Sequence, residues 1–151
     1  MSINKKQDFE KCATFYFTKD LSKFIVGIWS QNQNRIHYEV TALPVMENFE
    51  HAVETFWKSI LKSTSKEKDF KNNKLTDWPA FKVSGFKTVK AFKNEYRKMF
   101  VIAFNSSNII YDCRINLSDE IDYSIHATLS PGNSLKEKMR TFKFLMEKSL
   151  E

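Results

Sequence analysis

The side chains that could do chemistry are few and scattered. The histidines are His37, His51 and His126. Asp122, Ser124 and His126 alternate along an expected strand, share one face and have the residue types of a hydrolase triad. A strand rises ~3.3 Å per residue, so Asp122 and His126 stand about 13 Å apart along it. A triad needs each member in hydrogen-bond contact with the next. The expectation is therefore a polar, solvent-facing strand face. Glu47, His51 and Glu54 recur at i, i+4 and i+7 of an expected helix. That spacing could hold a divalent cation, but no oriented second shell accompanies it, and a solvated face accounts for it better. Asp119, Glu120 and Asp122 gather at an expected turn, where acids cap and solvate. Cys12 and Cys113 lack redox-motif neighbours, and Cys113 alternates with Tyr111 and Ile115 as a core filler would. No catalytic residue, metal ligand or cofactor site is expected.

Charge offers a stronger signal. The chain carries 24 Lys and Arg against 18 Asp and Glu, a net of +6. Residues 1–57 hold 6 and 7 of these, residues 99–151 hold 6 and 7, and residues 58–98 hold 12 and 4. The whole excess lies in the centre. There Phe81, Phe86, Phe92 and Tyr96 interleave with Lys82, Lys87, Lys90, Lys93, Arg97 and Lys98. Such a segment could stack bases and track phosphates, or meet an acidic protein. A solvated lysine-rich surface explains the same charge, because the bases are mostly Lys and Arg is the better phosphate fork. Strand alternation would turn the aromatics inward and leave only the cations wet. Phe144 and Tyr16 lie on faces that do not need them for a core, and exposed aromatics suit an interface hot spot.

The elements that must position these residues follow from periodicity. Ala13 to Thr18, Phe24 to Ser30 and Arg35 to Leu43 read as three strands joined by polar turns. In the third, Ile36, Tyr38, Val40 and Ala42 oppose His37, Glu39 and Thr41. Glu47 to Ser63 is a helix with Phe49, Ala52, Val53, Phe56, Trp57, Ile60 and Leu61 on one stripe. Residues 64–77 form a polar connection, and Trp78-Pro79 forces an extended step. Phe81 to Tyr96 fits a helical face, yet its β-favouring content and the sheet that follows lean it towards strand. Lys98 to Phe104, Ile109 to Leu117 and Ile121 to Leu129 are strands, and Asn105-Ser106-Ser107-Asn108 is a hairpin turn. Ser134 opens the last helix with a capping box to Glu137. The expected class is α+β: an antiparallel sheet of six to seven strands with two amphipathic helices on one face.

A chain of 151 residues fits one domain and buries enough surface to need no staple. Gly27, Gly85 and Gly132 are too far apart to share a phosphate loop. No apolar run approaches a membrane span, no secretory signal follows Met1, and two cysteines make no disulfide framework. These features point to the cytoplasm and away from a membrane.

The element order, with Val83-Ser84-Gly85-Phe86 after the middle helix, Ile109-Ile110-Tyr111-Asp112-Cys113-Arg114 in a later strand and Thr141-Phe142-Lys143-Phe144-Leu145-Met146 in the closing helix, resembles the PsbP/DcrB-type α+β sandwich. That resemblance covers most of the chain and implies protein binding or assembly. The chain departs from it in its few glycines and in lacking the lipoprotein signal common among DcrB proteins. In size and absence of catalytic motifs it also resembles bacterial immunity proteins, including those of contact-dependent growth inhibition systems. That implies a non-enzymatic inhibitor that covers a toxin domain. The excess positive charge counts against a nuclease toxin as partner, since such toxins are themselves usually basic. The expected contact residues are Lys82, Lys87, Lys90, Lys93, Arg97, Lys98, Phe144 and Tyr16; the alternative is nucleic-acid binding through 82–98.

Overall fold

The computed structural model describes residues 11–31, 37–62, 77–104, 109–116 and 124–151. The expected acidic turn at Asp119, Glu120 and Asp122, the connection over 64–76 and the Asn105–Asn108 hairpin turn lie outside them. The order is β1 (Lys11–Thr18), β2 (Phe24–Gln31), β3 (His37–Ala42), α1 (Phe49–Ser59) with a 3-10 turn (Ile60–Lys62), α2 (Pro79–Ser84), α3 (Val89–Glu95), β4 (Tyr96–Phe104), β5 (Ile110–Asn116), β6 (Ser124–Leu129) and α4 (Leu135–Ser149). The strands form one antiparallel sheet in the order β3-β2-β1-β4-β5-β6. Two three-stranded meanders thus meet at the central pair, β1 and β4. The α+β expectation holds, with six strands but four helices rather than two among the described residues.

Alternation along β1 sorts the sheet into two faces. Phe15 and Phe17 point to the first, together with Phe24 and Val26 of β2, Met99 and Val101 of β4, and Cys113 and Ile115 of β5. Ala52, Val53 and Phe56 of α1 and Phe142, Leu145 and Met146 of α4 close over them. The rings interlock: Phe15 and Phe142 are 5.1 Å apart between centroids, and Phe56 and Phe142 5.3 Å. Caps hold these helices in place. Asn48 Oδ1 accepts the His51 amide at 2.8 Å, and Ser134 and Glu137 form the expected capping box.

Tyr16 and Ile25 point to the second face, where they meet Ala80, Phe81, Phe92 and Tyr96. Here the strand expected over 81–96 is overturned: the segment is two short helices, α2 and α3. Local chemistry explains the break. Trp78 is extended, Pro79 stands in the first turn of α2, and Gly85 ends α2 in the left-handed region at φ +80°. Thr88 then caps α3, its hydroxyl accepting the Ala91 amide at 3.1 Å. Helices this short are marginal alone, so the burial of Phe81 and Phe92 on the sheet must hold them. Helices therefore lie on both faces, not one. No helix among the described residues is long and apolar enough to cross a membrane.

Candidate functional site: a basic cavity beside a buried carboxylate

The second face is built around a carboxylate. A bulge between Ile28 and Trp29 pairs Trp29 with Glu39, while Ala42 pairs with Gly27. The extra residue changes the alternation of β3, so Glu39 and Ala42 share the second face instead of opposing each other. Glu39 is held there by three donors. The Tyr16 hydroxyl donates to Oε2, the Trp78 indole N–H donates to Oε2 at 2.9 Å, and the Ala80 amide donates to Oε1 at 2.8 Å. Burial raises the Glu39 carboxyl above its ordinary range, although these donors and the Lys98 charge act against that. Burial and the adjoining Glu39 push the Tyr16 phenol up as well, so it stays a protonated donor. Space for the carboxylate comes from Gly27: a Cβ there would lie 2.8 Å from Glu39 Cδ. A glycine inside an apolar strand is the sequence signal of such a close approach.

Next to this network is a cavity of about 300 Å³. The buried rings of Tyr16, Phe92 and Tyr96, with half-buried Trp78, form its floor. Exposed Lys93, Arg97 and Lys98 line its rim, and Asn116 of β5 closes one side. The Lys98 ammonium sits 5.6 Å from the centre of the Trp78 ring. A wider groove of about 760 Å³ lies elsewhere along α2 and α3, with Asp20, Glu47 and Glu95 among its lining.

The structure divides the expected contact residues. Lys82, Lys87, Lys90, Lys93, Arg97 and Lys98 are all exposed between α2 and the start of β4, with Lys82 3.8 Å from Asp77. Phe144 is 52% exposed, but on α4, across the sheet from α2 and α3, beneath the Lys148 ammonium at 5.8 Å. Tyr16 is a correction: at 2% exposure it is a core residue bonded to Glu39, not a surface anchor. Of the aromatics of the basic segment, Phe81 at 9%, Phe92 at 1% and Tyr96 at 6% exposure turn inward, by helix packing rather than the expected strand alternation, and Phe86 is half-buried. Glu39, Trp78 and Asn116 were not anticipated from the sequence. A bulge and a cross-strand approach bring them together; Gly27 is the one local sign of the approach, and the bulge leaves none.

His126 makes contacts that the spacing along its own strand does not predict. Asp122 lies outside the described residues, but Ser124 Oγ is 2.7 Å from His126 Nε2, and His126 Nδ1 is 3.2 Å from Asp112 Oδ1. The acid arrives from the neighbouring strand, where Arg114 pairs with His126 and Asp112 with Thr128. The connectivity is that of a nucleophile, a base and an orienting acid. Its surroundings are different. The His126 side chain is 45% exposed, and the Arg114 guanidinium donates to Asp112 at 2.7 Å, nearer than the imidazole. Asp112 is thus already neutralised by a fixed cation, and solvent reaches the base.

The remaining candidates are quiet. Glu54 pairs with Lys58 at 2.7 Å, and no three His, Cys, Asp or Glu side chains converge among the described residues. Burial, aided by Asp112, pushes the Cys113 thiol up to about 12, so it is no nucleophile near neutrality. No protein-family model, curated protein or solved structure matches the chain.

Proposed function

We propose that this chain is a non-enzymatic protein-binding module of the bacterial immunity kind, acting in the cytoplasm. It seats its basic α2–α3–β4 surface on an acidic patch of a toxin domain and neutralises it by steric occlusion. One observation carries this reading. The cations of the central segment are exposed, while of the rings between them Phe81, Phe92 and Tyr96 are buried in the second-face core and Phe86 is half-buried against it. Apart from the cavity beside Trp78, the surface therefore offers charge without an exposed run of rings on which successive bases could stack. Single-stranded nucleic-acid binding needs stacking as well as cations, which weakens that alternative. Charge complementarity of this kind sets encounter rate and partner choice.

The test is a tagged pull-down from source-cell lysate, with wild type beside the triple variant Lys87→Glu, Lys90→Glu, Lys93→Glu. All three positions are exposed, so folding is retained. The expected result is one stoichiometric protein that survives nuclease and is lost with the variant. Material that disappears on nuclease treatment, with an affinity that falls steeply with salt, would overturn the reading in favour of nucleic acid.

A further inference from the structure

The basic surface has a feature that charge alone does not require: it opens into the cavity floored by Tyr16, Phe92, Tyr96 and Trp78. A volume of about 300 Å³ lies at the low end of ligand sites and suits one side chain rather than a cofactor. Its walls ask for two properties together. Ring faces and edges favour a planar apolar body. Lys93, Arg97 and Lys98 at the mouth favour negative charge beside that body. Interface energy concentrates where an aromatic anchor fills a desolvated pocket ringed by polar contacts. The floor is also rigid. Tyr16 and Trp78 are fixed by their bonds to Glu39, and the Phe92 ring lies 5.0 Å from that of Trp78 and 5.2 Å from that of Tyr96. A preformed pocket loses little entropy when it is filled.

We infer that this cavity is the anchor pocket of the basic surface, and that it takes an aromatic side chain flanked by carboxylates on an acidic protein partner. The inference rests on the protein-binding reading above and specifies its contact. The aromatic ring packs against Trp78 and Phe92, and the flanking carboxylates pair with Lys93 and Arg97. Asn116 supplies a polar side chain at the cavity edge.

The probe is an end-capped pentapeptide with tyrosine between two pairs of acidic residues, titrated at low salt into the ¹⁵N-labelled full chain. Trp29, Trp57 and Trp78 each give an indole N–H signal, and Trp78→Phe assigns the relevant one. The expected result is a shift of the Trp78 indole and the Asn116 side-chain amide. Binding should be at least tenfold tighter than for the same peptide with alanine in place of tyrosine. It should weaken at least tenfold in the exposed double variant Lys93→Glu, Arg97→Glu. Equal binding of the alanine peptide would overturn the pocket while leaving the basic surface as a charge-only contact. Equal binding of free 4-hydroxyphenylacetate would overturn the protein partner in favour of a small aromatic acid. No binding of any of the three would overturn the pocket, and the pull-down would then judge the wider reading separately.

Discussion

The two faces of one sheet are closed in different ways. On the first, α1 and α4 bring Phe56 and Phe142 onto Phe15, and the contact is almost entirely apolar. On the second, two helices of six and seven residues cover the Tyr16–Ile25 region and surround a carboxylate, with cations at the edge. The same strands feed both faces, since Phe15 and Tyr16 are neighbours. The difference therefore comes from what the connections bring. Long amphipathic stripes make a dry layer. Short helices bracketed by Pro79, Gly85 and Thr88 make a layer whose stability depends on hydrogen bonds as well as packing. The first face is a dry apolar layer, and the second carries the buried carboxylate and the exposed cations.

The largest expected effect tests the dry face. Phe142 is fully buried and its ring contacts Phe15, Phe56 and Trp57. Phe142→Ala should cost ~3–5 kcal/mol through lost transfer energy and the cavity left behind. Denaturant unfolding measures it. A loss below ~1 kcal/mol, outside the range for such truncations, would mean that the first face is not the main store of stability.

A smaller effect tests the polar face. Glu39→Ala removes the acceptor of the Tyr16 hydroxyl and the Ala80 amide, both partly buried donors, while the Trp78 indole keeps the Tyr16 oxygen at 2.9 Å. At ~1–3 kcal/mol for a stranded buried group, offset by partial relaxation, the expected loss is about 2–4 kcal/mol. Gly27→Ala should reproduce part of it, because the new Cβ displaces the same carboxylate. The pH dependence has a defined sign. A carboxyl raised in the fold holds its proton more tightly there than in the unfolded chain. Its contribution to stability is thus fully present in acid, below the unfolded value, and is lost as pH rises through the folded value. Relative to Glu39→Gln, wild type should lose stability across that window. An unfolding midpoint difference that stays flat with pH would sink the assignment of Glu39 as a buried, desolvated acid.

The contrast between faces also explains what the sequence made legible. The first face could be read residue by residue, because alternation in β1 and the stripe through Phe49, Val53, Phe56 and Ile60 are local patterns with one physical meaning. The second face resisted reading. The Phe and Val content of 81–96 favours strands, and only the punctuation of Pro79, Gly85 and Thr88 argues for two helices. The bulge at Ile28 and Trp29 moved Glu39 onto the face of Ala42, and no alternation rule anticipates an inserted residue. Of the contact residues expected from sequence, the exposed cations were legible from charge clustering. Tyr16 departs from its expected surface position because α2 and α3, helical where a strand is expected, cover it.

The smallest effect concerns Ser124, and it separates connectivity from catalysis. Its hydroxyl, His126 and Asp112 form a continuous hydrogen-bonded chain on the second face. Serine activation needs the imidazolium that forms to be stabilised by the acid. Here Arg114 donates to the other Asp112 oxygen at 2.7 Å, so the acid already serves a fixed cation. The imidazole is also substantially exposed, so water replaces the dry, preorganised setting in which such chains work. A fluorophosphonate probe should therefore leave the native protein unlabelled, and Ser124→Ala should change stability by less than ~0.5 kcal/mol, as for a surface substitution. Removing the cation sharpens the point. Arg114→Gln frees Asp112 for His126 and is the variant in which weak labelling is expected first. Labelling of wild type that is lost in both Ser124→Ala and His126→Ala would overturn the non-enzymatic reading, and the polar face would have to be counted as a reaction site rather than a surface for contact.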